Sequence, residues 1–79
     1  MHEAHHAAKK DAPSGTALAL AEAAAAGAQL DPASSFVMAR EGITGERRAG
    51  EIGIVALRGG DNVGEHTIVF GMLGETIDL

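Results

Sequence analysis

The sequence predicts a small α+β domain: a mixed, mostly antiparallel four-stranded sheet with one alanine-rich helix packed on one face. Three observations lead there. Thr16–Ala26 is an almost unbroken run of strong helix formers. Four runs suited to strands follow it, at Ser35–Ala39, Glu51–Arg58, Glu65–Phe70 and Glu75–Leu79. Glycine clusters separate the later runs, as tight turns between strands require. A helix that precedes a block of strands packs as a second layer on a sheet.

Each element has a local reason. Residues 1–13 hold His2, His5, His6, Lys9 and Lys10 and read as a cationic loop. Pro13 disfavours helix at Ala12, and Ser14 is a good N-cap for the run that follows. Gly27 is the expected stop, and Leu30-Asp31-Pro32 the loop after it. Arg40–Gly50 has charges and glycines without a period, which predicts a long ordered loop. Gly59-Gly60-Asp61-Asn62 reads as a turn, and Gly64, Gly71 and Gly74 as turn or bulge positions. Ile52, Ile54, Leu57, Ile68, Phe70 and Ile77 are the candidates for core or interface. Within the helix Glu22 is the only charge, and Leu18 and Leu20 lie about 200° apart around the axis. Such a helix lacks the polar face of an ordinary surface helix, so cover on both sides is expected.

Composition narrows the function. The chain has 79 residues, enough for one domain spanning 1–79. A domain of this size buries only about 60% of its unfolded surface and is marginal alone. With no cysteine, disulfides and thiolate metal sites are excluded, which suits a reducing cytoplasm. A net charge of −5 repels nucleic acid and anionic membranes at long range. Two phenylalanines and no other large aromatic give little for bases to stack on. No run is long and apolar enough to span a membrane, and no leader pattern opens the chain. An anion site must therefore be a local concentration of positive groups.

Glu3 to Thr16 supplies one. A loop bearing His5, His6 and Lys9 runs into a capped helix start. Such a start offers free N–H groups and the positive end of the helix dipole. Gly15 permits close approach to the backbone, and Thr16 adds a hydroxyl. The lysine and imidazoles carry movable protons. The chemistry read from these residues is to bind a small carboxylate or phosphate and give it a proton. The alternative is a structural turn beside a solvated basic loop.

The same residues carry a resemblance. Glu3-x-His5-His6-x-x-Lys9-x-Asp11-Ala12-Pro13-Ser14-Gly15-Thr16-Ala17 resembles the signature segment of dihydrodipicolinate reductases. Further on, Arg40-Glu41-Gly42, Gly45-Glu46-Arg47, Gly50-Glu51-Ile52-Gly53, Arg58-Gly59-Gly60-Asp61 and Gly64-Glu65-His66-Thr67 resemble the rest of that family's C-terminal domain. The resemblance implies an NADPH- or NADH-dependent oxidoreductase of lysine and diaminopimelate biosynthesis. It implies His5 as acid/base group, Lys9 as proton donor, and His6, Gly15 and Thr16 as ligands of a dicarboxylate substrate. It implies a homotetramer joined through the sheet, and a cofactor held by a separate upstream domain. No G-x-G-x-x-G follows a strand here, so no cofactor-binding residue and no activity is expected of this segment alone.

Rival readings are available for several residues. His2-Glu3-Ala4-His5-His6 formally satisfies H-E-x-x-H, but that zinc motif requires a helix and a third ligand, and nothing starts a helix here. No metal is therefore expected. His66 reads first as a structural histidine, and Arg40, Arg47 and Arg58 as partners of Glu41, Glu46 or Asp61. Against the enzyme stands a second class of function: a bare oligomerisation module without a working site.

Overall fold

The computed structural model describes residues 1–79. Strand β1 is His2–His5, followed by helix α1 at Gly15–Gly27 and a single turn α2 at Pro32–Ser35. Six further strands follow: β2 Phe36–Val37, β3 Ile52–Gly53, β4 Val55–Arg58, β5 Glu65–Thr67, β6 Val69–Met72 and β7 Glu75–Asp78. The class is α+β, as the sequence predicts. The single four-stranded sheet is not what forms. A three-stranded sheet of order β4-β1-β5 stands beside two two-stranded pieces, β2-β3 and β6-β7. β1 runs parallel to β4 and antiparallel to β5, β2 pairs with β3 in parallel, and β6-β7 is an antiparallel hairpin.

Two physical causes account for the difference. The histidine segment, expected as loop, is the central strand: its polar side chains find partners on both neighbours, so polarity does not keep it out of the sheet. The expected strand Glu51–Arg58 also breaks at Ile54. There the backbone changes partner, the Ile54 N–H donating to Val37 O at 2.9 Å and the Val55 N–H to Met1 O at 3.0 Å. A similar break at Ile68 separates β5 from β6. Only Phe36 and Val37 of the expected strand Ser35–Ala39 are extended and paired, because Asp31 caps a helical turn that runs to Ser35.

The helix starts as expected. The Ser14 hydroxyl accepts from the Ala17 N–H at 3.1 Å. Its end differs from the expectation: Gly27 is still helical, and Gln29 takes the left-handed conformation at φ 57°. The Leu30 N–H donates to Ala25 O at 2.8 Å and the Gln29 N–H to Ala26 O at 3.2 Å, so the last carbonyls are satisfied by a Schellman turn without glycine. Ala17, Ala21 and Ala25 form one fully buried stripe. Spaced four residues apart, their methyl groups share one face of the helix.

The core is accordingly small. Ile54 is the one large apolar side chain fully buried. Ile52 and Ile68 are half-buried, whereas Leu57, Phe70 and Ile77 are 57%, 43% and 51% exposed and are not core. No helix is long and apolar enough to cross a membrane.

Candidate functional site

The site is built where β1, β4, β5 and the start of α1 meet. Alternation along β1 puts Glu3 and His5 on one face. Their neighbours are set by register: Glu3 lies opposite His66 of β5, and His5 opposite Arg58 of β4. Ser14, the helix cap, closes the group from the fourth side.

Glu3 is its centre and is fully buried. One carboxylate oxygen meets the Arg58 guanidinium at 2.6 Å, and the other accepts from the Ser14 N–H at 3.2 Å. The second oxygen also lies 3.3 Å from His5 Nε2 and 3.7 Å from His66 Nε2. Burial pushes the Glu3 carboxyl upward, but hydrogen bonds from Ser14 and Arg58 outweigh it and hold the pKa at about 2. Glu3 is therefore a buried carboxylate with its counter-charge in place. Arg58 also donates to Asp11 O at 2.8 Å, which ties the loop before the helix to β4. The expected partners of the arginines are thus corrected: Arg58 pairs with Glu3, Arg40 with Glu51 at 3.3 Å, and Arg47 with the backbone carbonyls of Arg48 and Glu51.

His5 is almost covered. Its Nε2 lies 3.2 Å from His66 Nε2, with the rings edge-on at 71°. Desolvation lowers the His5 pKa; Glu3 opposes this, while Lys9, His66 and Arg58 add to it. Gly64 packs against the ring. A Cβ there would stand 2.8 Å from His5 Cε1, and φ is +139°, so glycine is required on both counts.

The remaining expected residues lie along the loop and the helix start. Lys9 Nζ pairs with Asp11 at 2.9 Å, which holds the Asp11 carboxyl below its ordinary value. His6 is half-buried and its carbonyl accepts from the Lys9 N–H at 3.2 Å. Gly15 and Thr16 are exposed at the mouth of the helix, and space beside Gly15 is open. The N–H groups of Ser14, Ala17 and Leu18 are engaged, to Glu3, Ser14 Oγ and Ser14 O. Those of Gly15 and Thr16 make no hydrogen bond within the chain, and both residues are exposed. The structure thus brings His5 together with Glu3, Ser14, Arg58 and His66, and leaves Gly15 and Thr16 as free donors.

A metal is one possible occupant of the cluster. Glu3, His5 and His66 each offer a ligand atom, all within 4.8 Å of one another. Arg58 and the Ser14 N–H already face the two Glu3 oxygens, so each carboxylate oxygen has a positive or N–H neighbour within the chain. The zinc-protease motif needs a helix, whereas His2–His5 is a strand and His6 follows it outside any helix.

The helix start does not fit a dinucleotide. The segment between β1 and α1 has no glycine before Gly15, and the Ser14 and Ala17 amides point at Glu3 and the Ser14 hydroxyl instead of outward.

The match to known proteins agrees with the motif. A family model described as "Dihydrodipicolinate reductase, C-terminus" matches residues 1–79. The chain belongs to this family. It is 58% identical over 77 residues to the 4-hydroxy-tetrahydrodipicolinate reductase of Cereibacter sphaeroides, covering 98% of this chain and 29% of that protein. The proteins of the same name from Agrobacterium fabrum and Anaeromyxobacter sp. are each 53% identical over 98% of this chain, which covers 28% and 29% of their lengths. The chain therefore spans under a third of the curated relatives it matches.

Sequence reasoning missed Glu3, Arg58 and His66 as members of the site. Their signal was present in the quoted motifs, but only the sheet register makes neighbours of residues 3, 58 and 66.

Proposed function

We propose that this chain is the substrate-binding domain of a 4-hydroxy-tetrahydrodipicolinate reductase, an oxidoreductase of lysine and diaminopimelate biosynthesis working in the cytoplasm. A cyclic dicarboxylate sits at the start of α1. NADPH or NADH, bound outside this segment, supplies hydride. The observation that carries the reading is the pair of unengaged N–H groups at exposed Gly15 and Thr16, which follow the loop bearing His5 and Lys9.

A carboxylate there gains two backbone donors and the helix dipole. The Thr16 hydroxyl and the His6 imidazole supply further donors. Lys9, released from Asp11, reaches the second carboxylate or the reduced ring and gives it a proton. His5 holds or passes a proton at its imidazole, screened from water by Gly64 and His66. The Glu3 carboxylate stays ionised and fixes the ring by accepting from it. None of these groups carries electrons, so the segment alone does not reduce its substrate.

The apolar face beyond the site favours a second role alongside the first. A concavity of about 830 Å³ lies between α1 and the β6-β7 ribbon, lined by Leu20, Ala24, Ile52, Ile68, Phe70 and Met72 among others. It holds none of the expected site residues. We assign this face to assembly with further copies of the chain, as a homotetramer. An oligomerisation module without a site shares this feature but has no use for free donors at Gly15 and Thr16.

The test is kinetic, in a full-length reductase carrying this domain. Thr16→Val is expected to raise KM for the dicarboxylate, and His5→Gln to lower kcat by roughly 100-fold. Unchanged kcat and KM in both variants would leave only the oligomerisation module.

A further inference from the structure

We infer that His66 is a positioning residue for His5, and that the two imidazoles hold their protons as a pair. This rests on the reading of His5 as the acid/base group and adds a partner to it. Three independent geometric relations carry it.

The first is the Nε2–Nε2 contact of 3.2 Å. Two imidazole nitrogens form a hydrogen bond only when one of them carries a proton and the other does not. If both carried protons, the two N–H groups would point at each other. The second reason is the Glu3 carboxylate, 3.3 Å from the same His5 nitrogen. A carboxylate is an acceptor only, so it draws the proton onto His5 Nε2 and leaves His66 Nε2 as the acceptor. The third is Ser14. Its oxygen already accepts from the Ala17 N–H and lies 3.1 Å from His66 Nε2, where the hydroxyl can donate. Both neighbours of His66 Nε2 can therefore donate to it, and its proton resides on Nδ1.

This assignment fixes the His5 tautomer. With Nε2–H committed to Glu3 and His66, the Nδ1 atom is left with its lone pair and no partner within the chain. It is the position where His5 takes up and releases the working proton. When Nδ1 is protonated, His5 becomes a cation against Glu3, with Arg58, Lys9 and His66 as the other titratable or charged groups facing it. Ser14, which caps the helix whose free N–H groups face the carboxylate, reports to the same pair. His66 is thus the hinge between the proposed substrate end and the proton end.

The experiment uses a full-length reductase carrying this domain, with His66→Gln and His5→Gln compared. Glutamine reaches as far as Nε2 and keeps the contact to Ser14, but it does not titrate. His66→Gln is expected to lower kcat roughly tenfold with KM changed by less than about twofold. The pH limb belonging to His5 should move, because the group that accepts from its Nε2–H is no longer an imidazole. An unaltered pH limb with only a lower melting temperature makes His66 structural and overturns the inference. If His5→Gln leaves kcat untouched, the acid/base reading of His5 fails and the inference falls with it. If His5→Gln is impaired while His66→Gln matches wild type, the inference alone fails. Should His66→Gln not fold, imidazole ¹⁵N shifts of the wild-type enzyme decide instead. Coupled titration of His5 and His66 with His5 as the Nε2–H tautomer supports the pair, and independent one-step titrations refute it.

Discussion

The two ends of α1 face opposite kinds of surroundings. At its start, Glu3, Ser14, His5, His66 and Arg58 contact one another within the chain. Toward its end, the β6-β7 ribbon turns Val69, Phe70, Met72 and Ile77 out at 42% to 51% exposure. The difference follows from unequal costs. A buried carboxylate without its cation costs several kcal/mol, so charged partners must be supplied by the fold itself. Apolar area left in water costs only about 25 cal/mol per Å², and can wait for cover supplied from elsewhere. The polar cluster has its counter-charges within the chain, whereas the apolar ribbon leaves its surface in water.

Breaking the polar cluster should have the largest effect. Glu3→Gln removes the charge facing Arg58 and is expected to cost about 3 kcal/mol, read as a fall in denaturation midpoint at unchanged slope. The same carboxylate sets an acid limit. Its folded pKa of about 2 lies below its ordinary value of 4.5, so its contribution is complete above about pH 4.5 and is lost as pH falls toward 2. The lowered His5 pKa acts with the same sign, its contribution being present above its ordinary value and lost as pH falls below it. A stability profile should therefore decline on the acid side, and Glu3→Gln should flatten its lowest part.

Next in size is Lys9→Ala, measured in a full-length reductase. Turnover should fall by roughly 100-fold, while stability changes by less than about 1 kcal/mol, because Asp11, the partner of half-buried Lys9, is open to water, which screens the pair. A large drop in melting temperature with normal turnover would reverse that assignment. Ser14→Ala should cost about 1 kcal/mol through the lost cap and release His66 from the helix. The smallest effect expected is at the end of the helix. Gln29→Gly relieves a left-handed residue and should stabilise by up to about 1 kcal/mol, seen as a rise in melting temperature with no change in turnover.

Local chemistry was legible in the sequence. Ser14 as cap, the helix through the alanine run and the donors at Gly15 and Thr16 all follow from rules that act within a few residues. His2–His5 was not legible as a strand, because its apolar pattern is weak and its place is decided by Arg58 and His66, which are distant in sequence. The break at Ile54 escaped for the same reason: a run of β-formers does not announce where its backbone changes partner. Phe70 and Ile77 were expected as core or interface, and hydrophobicity alone does not separate the two.

The central claim is that the start of α1 binds the dicarboxylate. Titrating pyridine-2,6-dicarboxylate, a planar mimic of the substrate, while following backbone amide resonances tests it directly. The account predicts saturable binding, with the largest shifts at Gly15 and Thr16 and smaller ones at His5 and His66. No shift at millimolar concentration, or shifts confined to the apolar concavity around Phe70, would contradict it.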